Sequence, residues 1–456
     1  MATAAAPAQL APRTRRILAA PIAPTLLALA APNIAVLVLQ SGVNVLEAYF
    51  VGRLGPDALA GVALVFPLVM LMQTMSAGGM GGGVASAVAR ALGANRRDDA
   101  DRLVLHAAII ALTMGALFTV AALLGGPVLY RVMGGVGPAL DAAARYSGAI
   151  FGGAVVVWLF NTLSAVVRGT GNMAVPAMTV VAVSVILLGF SPALIFGWGP
   201  FPRLGVAGAG IASVTVYALG AGALAAFLFS GRSLVRPSLR GFRIERRLFA
   251  EILRVGAPAA LNTVQTNLTV AILTGLVGGF GTYVVAGYGL GARLEYMQIP
   301  IVFGLGSALV TMVGTNVGAG QHARARRVAW IGAGLAALIT ETIGVAAALA
   351  PRAWLGLFTS EPAVIDAGAQ YLRTVGPFYG FFGLGLALYF ASQGAGRLLW
   401  PLIAGFSRLS LAAVGGTIVI ALGAGLGMLF AVMAAAMVVF GGSLALAIRG
   451  GAWTRH

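Results

Sequence analysis

Gly52-Arg53-Leu54-Gly55-Pro56-Asp57-Ala58-Leu59-Ala60-Gly61 decides the fold, because it returns as Gly278-Gly279-Phe280-Gly281-Thr282-Tyr283-Val284-Val285-Ala286-Gly287. Gly52, Gly55, Ala60 and Gly61 fall on Gly278, Gly281, Ala286 and Gly287 at an offset of 226, and Pro32 falls on Pro258 at the same offset. Farther along the offset is 225. Gly93 meets Gly318, Asp141 and Tyr146 meet Asp366 and Tyr371, and Gly169, Gly171 and Pro176 meet Gly394, Gly396 and Pro401. Chance does not hold one register over such a length. The two halves are one unit repeated.

The sequence on either side of these stretches is apolar. Of 456 residues, 59% are hydrophobic and 9% charged, with a mean hydropathy of +0.96. An ordinary soluble domain carries about 25% charged residues, so this chain cannot clothe itself in water. A soluble enzyme, a nucleic-acid-binding module and a disordered scaffold are excluded as main readings. A membrane helix needs about 20 mostly apolar residues. Twelve such runs are expected, near 20–51, 57–88, 102–125, 141–167, 173–196, 206–230, 251–278, 283–316, 326–350, 363–392, 398–421 and 424–447. The expected fold is all-α: a polytopic membrane protein of twelve transmembrane helices in two pseudo-symmetric six-helix bundles. Its expected parts are an arm at 1–19, a lobe at 20–230, a basic linker at 231–250, a second lobe at 251–447 and a tail at 448–456.

Net charge is +17, all the basic residues are Arg, and there is no Cys. Disulfides, thiolate metal sites and thiol nucleophiles are therefore excluded. With an even span count both termini lie on one side. If that side is the cytoplasm, only Arg53, Arg131, Arg145, Arg203, Arg352 and Arg373 fall outside, while Arg293 and Arg408 lie within apolar runs. All other Arg fall inside, so the positive-inside rule places the termini, and the Arg232–Arg247 break, in the cytoplasm. Six helices per half make the repeats parallel about an axis along the membrane normal, leaving a cleft between two bundles that can rock. The 65 Gly and 20 Pro suit close packing and bent helices.

The motifs resemble the multidrug and toxic compound extrusion (MATE) family. They include Phe50-Val51-Gly52-Arg53-Leu54-Gly55, Val167-Arg168-Gly169-Thr170-Gly171-Asn172 with Pro176, and Phe196-Gly197 followed by Gly205-Val206-Ala207-Gly208-Ala209. The second half adds Val313-Gly314-Thr315-Asn316-Val317-Gly318-Ala319-Gly320 and Gln393-Gly394-Ala395-Gly396-Arg397. The order of these motifs runs from about Pro21 to Gly441 and is placed nearer the bacterial DinF-like branch than the NorM branch. The resemblance implies efflux of drugs and other bulky, often cationic compounds, driven by entry of protons or sodium ions across a bacterial inner membrane. It implies no cofactor and no enzyme activity. On that likeness the coupling residues are Glu47, where many members carry Asp, with Asn161, Ser191 and Ser213. The chain departs from the family pattern at Leu187 and Ser191, where many members carry Asn and Asp, although Pro192 is retained. It departs again at Thr266 and Phe382, where one branch has acids.

Three carboxylates fall well inside apolar runs: Glu47, Glu295 and Glu341. A charged carboxylate in hydrocarbon costs about 3 kcal/mol or more, so such groups are functional by default. Burial favours the neutral acid, which can then load and release a proton. Glu47, with Asn44 one turn back on the same face, is the first choice; the alternative is a structural acid capped by a neighbouring helix. Glu295 lies two residues from Arg293 and cannot face it on one helix, so an inter-helix ion pair stands beside a coupling role. Glu341, between Thr340 and Thr342, stands equally as a packed polar group. Sodium needs several oxygen ligands at short range, and the loss of the helix 5 pair leans the coupling toward protons.

Gln40, Asn44, Gln73, Asn262, Gln265 and Gln298 are polar within apolar runs and are expected to line the cavity or to tie helices together. Tyr288 and Tyr296 are expected aromatic walls for a cation, or core. No metal site is expected, since His106, His322 and His456 have no companion ligands. Small molecules and membrane lipids are the expected partners of a monomer, with no nucleic acid. A Walker loop is impossible without Lys. The rival readings are a lipid-linked oligosaccharide flippase of the same superfamily, which usually needs more cavity bases than Arg293 and Arg408, a major-facilitator transporter, and a receptor or scaffold.

Overall fold

The computed structural model describes residues 10–453. Parts of the expected arm (1–9) and tail (454–456, including His456) lie outside the described residues. Eleven described helices are long and apolar enough to cross a membrane, and a pair bent by 47° makes a twelfth span. In chain order they are α1 (Ile22–Gly52), α2 (Pro56–Gly93), α3 (Arg97–Val132), α4 (Gly137–Gly152 with Ala154–Gly169), α5 (Ala174–Phe196) and α6 (Val206–Phe229). The second half comprises α7 (Arg246–Gly278), α8 (Thr282–Gly318), α9 (His322–Leu349), α10 (Pro362–Ala395), α11 (Leu399–Ala421) and α12 (Leu426–Arg449). Each overlaps an expected apolar run, with ends that differ most at α3, which begins at Arg97 and ends at Val132 where 102–125 is expected. Among the described residues the regular structure is entirely helical. A short helix, Pro12–Ala19, precedes α1, and another, Pro351–Leu355, follows α9; the hydropathy pattern did not announce either.

The repeated glycines have repeated physical causes. Gly55 and Gly281 open the second helix of each half at φ 115° and φ 103°, a region that penalises any Cβ. Gly171 and Gly396 turn the chain after the fourth helix of each half at φ 80° and φ 73°. A Cβ on Gly169 would stand 2.7 Å from the Ala85 carbonyl, and one on Gly394 would stand 2.6 Å from the Val310 carbonyl. Ala85 and Val310 are themselves 225 apart. At Gly61 a Cβ would meet Ala142 and Ala143 at 2.6 and 2.7 Å, and at Gly287 it would meet the Gly368 amide at 2.7 Å. So α2 crosses α4 as α8 crosses α10, backbone against backbone, in the way small residues allow in membranes.

The chain forms two compact units. One holds Ala35–Ala257 with the described part of Met1–Arg15; the other holds Arg16–Ile34 with Pro258–His456 in its described part. Besides the division after Arg15, the divisions fall within two residues of Pro32 inside α1 and at Pro258 inside α7, the prolines matched by the repeat. Within the first unit, Gly256 lies so close to Gly83 that a Cβ on Gly83 would stand 2.7 Å from its amide. Within the second, the Asn33 amide donates to Ser307 at 2.6 Å, and Arg324 donates to the Ala20 carbonyl.

The basic segment before α7 is docked onto the start of α3 in the first unit. Arg247 pairs with Asp99 at 2.5 Å and with Glu251 at 3.2 Å, and Arg102 pairs with Glu245 at 2.5 Å. His106, fully buried, accepts the Glu245 amide proton on Nε2 at 2.9 Å while Nδ1 meets the Arg102 carbonyl at 2.8 Å. Its ring lies edge-on between Phe242 and Phe249, with centroids at 5.1 and 4.8 Å. The Asp101 carboxylate accepts the Arg236 amide proton at 2.6 Å.

Candidate functional site

In the first unit the polar groups gather between α1, α2, α4, α5 and α6. Pro192 inside α5 lacks an N–H and so breaks the ladder beside Ser191. The Ser191 hydroxyl, fully buried, donates to Glu47 Oε2 at 2.9 Å. Glu47 Oε1 is buried with no hydrogen-bond partner among the described residues. A carboxyl with one oxygen paired and one unsatisfied is a stable acceptor for a proton or a cation, because leaving that atom bare is costly. Tyr146 packs with Val51, Ile195 and Ala209.

A second, separate hydrogen-bonded group lies in the same unit. Asn161 Nδ2 donates to Ser76 at 2.8 Å and to Gln73 Oε1 at 3.1 Å, and Gln73 Nε2 donates to the Tyr217 hydroxyl at 2.9 Å. Ser76 reaches Asn161 from a π-helical stretch, Thr74–Met80, inserted in α2. The insertion follows from the sequence Thr-Met-Ser-Ala-Gly-Gly-Met. Thr74 donates its hydroxyl to the Met70 carbonyl at 2.7 Å, and the glycines tolerate the wide turn. Such single-turn π stretches concentrate at functional sites.

The structure thus brings Glu47 to Ser191 and sets Asn161 in a different group of the same unit. Ser213 does not join either group; its hydroxyl donates to Ala209 of its own helix at 3.0 Å. Asn44 is exposed, Gln40 is half-buried, and neither makes a hydrogen bond among the described residues. Ser76, Tyr146 and Tyr217 were missed as site residues. Tyr146 had left a signal, since the repeat preserves it as Tyr371.

The second unit has its own polar centre. Glu295 Oε2 accepts from the Tyr371 hydroxyl at 3.3 Å, and Oε1 lies 4.0 Å from Arg408 Nη2. The partner of Glu295 across helices is therefore Arg408 of α11. Arg293 is exposed and lies over Phe358, 5.8 Å from the ring centroid. Tyr288 packs edge-on against Tyr371 at 5.2 Å in the core of this unit, whereas Tyr296 is 48% exposed. The Gln265 amide donates to the Gly405 carbonyl; Asn262 and Gln298 are buried, the latter donating to Leu294 at 3.2 Å. Glu341 accepts the Gly380 amide proton at 2.6 Å. Pro377 interrupts α10 there, and Tyr379 takes the Gly376 carbonyl, so the carboxylate satisfies an amide at the start of the following helix.

Two six-helix halves, twelve spans and an intramembrane acid define a multi-pass transporter. The MatE family model matches residues 32–195 and again 258–418, once per half, and the chain belongs to that family, whose members are cation-coupled transporters rather than enzymes. It is 27% identical over 408 residues to the FAD transporter of Shewanella oneidensis, covering 87% of each chain. It is also 27% identical to the probable multidrug resistance protein NorM of Thermotoga maritima, over 84% of this chain and 82% of that one. Among solved structures, the outward-facing conformation of a multidrug resistance MATE family transporter of the MOP superfamily superposes with a TM-score of 0.88 at 24% identity. It covers 98% of this chain and all of that one. The names of these relatives give no support to placement beside the DinF-like branch.

Proposed function

We propose that this protein exports drugs or other bulky organic compounds, often cationic, by alternating access in exchange for protons, with Glu47 as the proton carrier. The reading rests above all on one observation: Glu47 meets Ser191 with one carboxylate oxygen and holds the other buried and unpaired. Such a group gains a proton at modest cost and gives it up when hydration changes. In α5 the Ser191 hydroxyl is the oxygen donor presented to Glu47, too few ligands for sodium, which prefers a cage of several. Asn161 acts, in this reading, by tying α4 to α2 through Ser76 and Gln73, while Ser213, bonded within its own helix, takes no part. The setting is a bacterial inner membrane, with the termini and the linker before α7 in the cytoplasm and the protein acting as a monomer. A second cargo reading follows from the relative named FAD transporter, with 87% coverage of each chain: a flavin dinucleotide, to be tried in the same assay.

The test is transport of a cationic dye, and separately of FAD, by proteoliposomes under an imposed proton or sodium gradient. The expected outcome is uptake driven by the proton gradient into inverted vesicles and loss of that coupling in Glu47→Gln. Unchanged gradient-driven uptake in the variant removes Glu47 from the mechanism, and uptake driven by sodium alone replaces the ion.

A further inference from the structure

The second unit holds a guanidinium whose donors are unspent. Arg408 lies inside α11, in an apolar span, with its side chain 11% exposed. It is held from two sides by ring faces, with its Cζ 5.8 Å from the Phe382 centroid and 5.6 Å from that of Phe440. Cation–π contact fixes the plane and consumes no N–H donor. The nearest carboxylate oxygen, Glu295 Oε1, stands at 4.0 Å, beyond hydrogen-bond distance. Among the described residues Arg408 makes no hydrogen bond at all. A guanidinium carries five N–H donors in a rigid fork that fits a carboxylate in two parallel bonds. Here the fork is mostly buried, oriented and, among the described residues, empty of such bonds.

Two further features make this a site rather than a structural pair. Glu295 is anchored elsewhere: its other oxygen takes the Tyr371 hydroxyl at 3.3 Å, and Tyr371 stacks edge-on with Tyr288 and Phe430 at 5.2 and 5.3 Å. The acid is thus held back from closing on the guanidinium. Directly after Arg408 and two further residues, α11 widens into a π-helical stretch, Leu411–Gly415. An irregular turn of that kind recurs where a helix serves a ligand, and the first unit has its own, from which Ser76 meets Asn161.

We propose that Arg408 is the receptor for an organic anion, a planar aromatic compound bearing a carboxylate. The carboxylate docks on the fork and the ring lies against Phe382 and Phe440. Glu295 is the built-in counter-ion: it keeps the guanidinium from standing alone in the apolar span when the site is empty, and it yields to the incoming group. The site is independent of the coupling role proposed for Glu47, and it gives the transporter a second ligand class besides cations.

The probe is 2-naphthoate, with the isosteric neutral 2-naphthamide as its control, titrated calorimetrically into the full chain in lipid nanodiscs. The wild type is expected to bind naphthoate about tenfold or more tightly than naphthamide, the scale of a charge-assisted hydrogen-bonded pair. Arg408→Gln loses that preference, and Glu295→Gln strengthens naphthoate binding by removing the competing carboxylate. Because Arg408→Gln leaves Glu295 uncompensated, the double variant Arg408→Gln with Glu295→Gln restores neutrality and must also bind both probes alike. Glu47→Gln leaves the preference unchanged, which separates this site from the coupling site. Equal binding of the two probes by the wild type overturns the proposal. So does a preference that survives in the double variant, or weaker naphthoate binding in Glu295→Gln.

Discussion

One hydroxyl sets how firmly the carboxylate proposed to carry the proton is held. Among the described residues Ser191 supplies the one hydrogen bond to Glu47, and a net bond of about 1 kcal/mol corresponds to roughly fivefold in an equilibrium. Ser191→Ala is expected to lower proton-driven dye transport about fivefold, and Ser191→Thr to restore most of it; initial rates in proteoliposomes at matched gradients measure both. A Thr variant no better than Ala would show that the hydroxyl is not what matters at this position. At this scale the sequence was informative about charge and poor about partners. Glu47, Glu295 and Glu341 stood out because an acid in an apolar run is costly. That Glu47 would find Ser191, and Glu295 find Arg408 rather than a closer Arg, depends on helix rotation. Apolar spans fix rotation weakly, because polar and apolar faces barely differ. Ser213 shows the same limit: a hydroxyl in a helix can always bond its own i−4 carbonyl, and here it does.

For the helices, existence and length were legible, since twenty apolar residues can do little else in a membrane. Breaks were not. The 47° bend between Gly137–Gly152 and Ala154–Gly169, the π stretch at Thr74–Met80 and the turn at Gly376–Phe378 leave no mark on hydropathy. The repeat did reveal the tight crossings, because only glycine survives where two backbones touch. Gly61→Ala and Gly287→Ala are each expected to destabilise the protein by about 1–3 kcal/mol through overpacking. Gly125→Ala, whose added methyl meets nothing within 4 Å, should change stability by less than about 0.5 kcal/mol. Thermal unfolding in detergent compares the three; equal midpoints for Gly61→Ala and Gly125→Ala would contradict the close approach of α2 and α4.

For the whole molecule, the Arg distribution predicts topology. The chain has no Cys of its own, so single introduced thiols report cleanly. Ser238→Cys, between α6 and α7, should react with a membrane-impermeant maleimide only from the cytoplasmic face, and Ser360→Cys, between α9 and α10, only from the opposite face. The reverse pattern would invert the orientation and with it the direction of export. The docked linker has a consequence of its own. Its arginines make Arg232–Arg247 the loop richest in trypsin sites, although Arg236 precedes Pro237 and is spared, yet Asp99, Glu245, Glu251 and the His106 cradle hold much of it down. Exposed ion pairs weaken as salt shortens the Debye length from about 10 Å at 0.1 M to about 3 Å at 1 M. Digestion there should accordingly be slow in dilute buffer and quicken as salt is raised, so that a protease ladder reads out how tightly this strap is fastened.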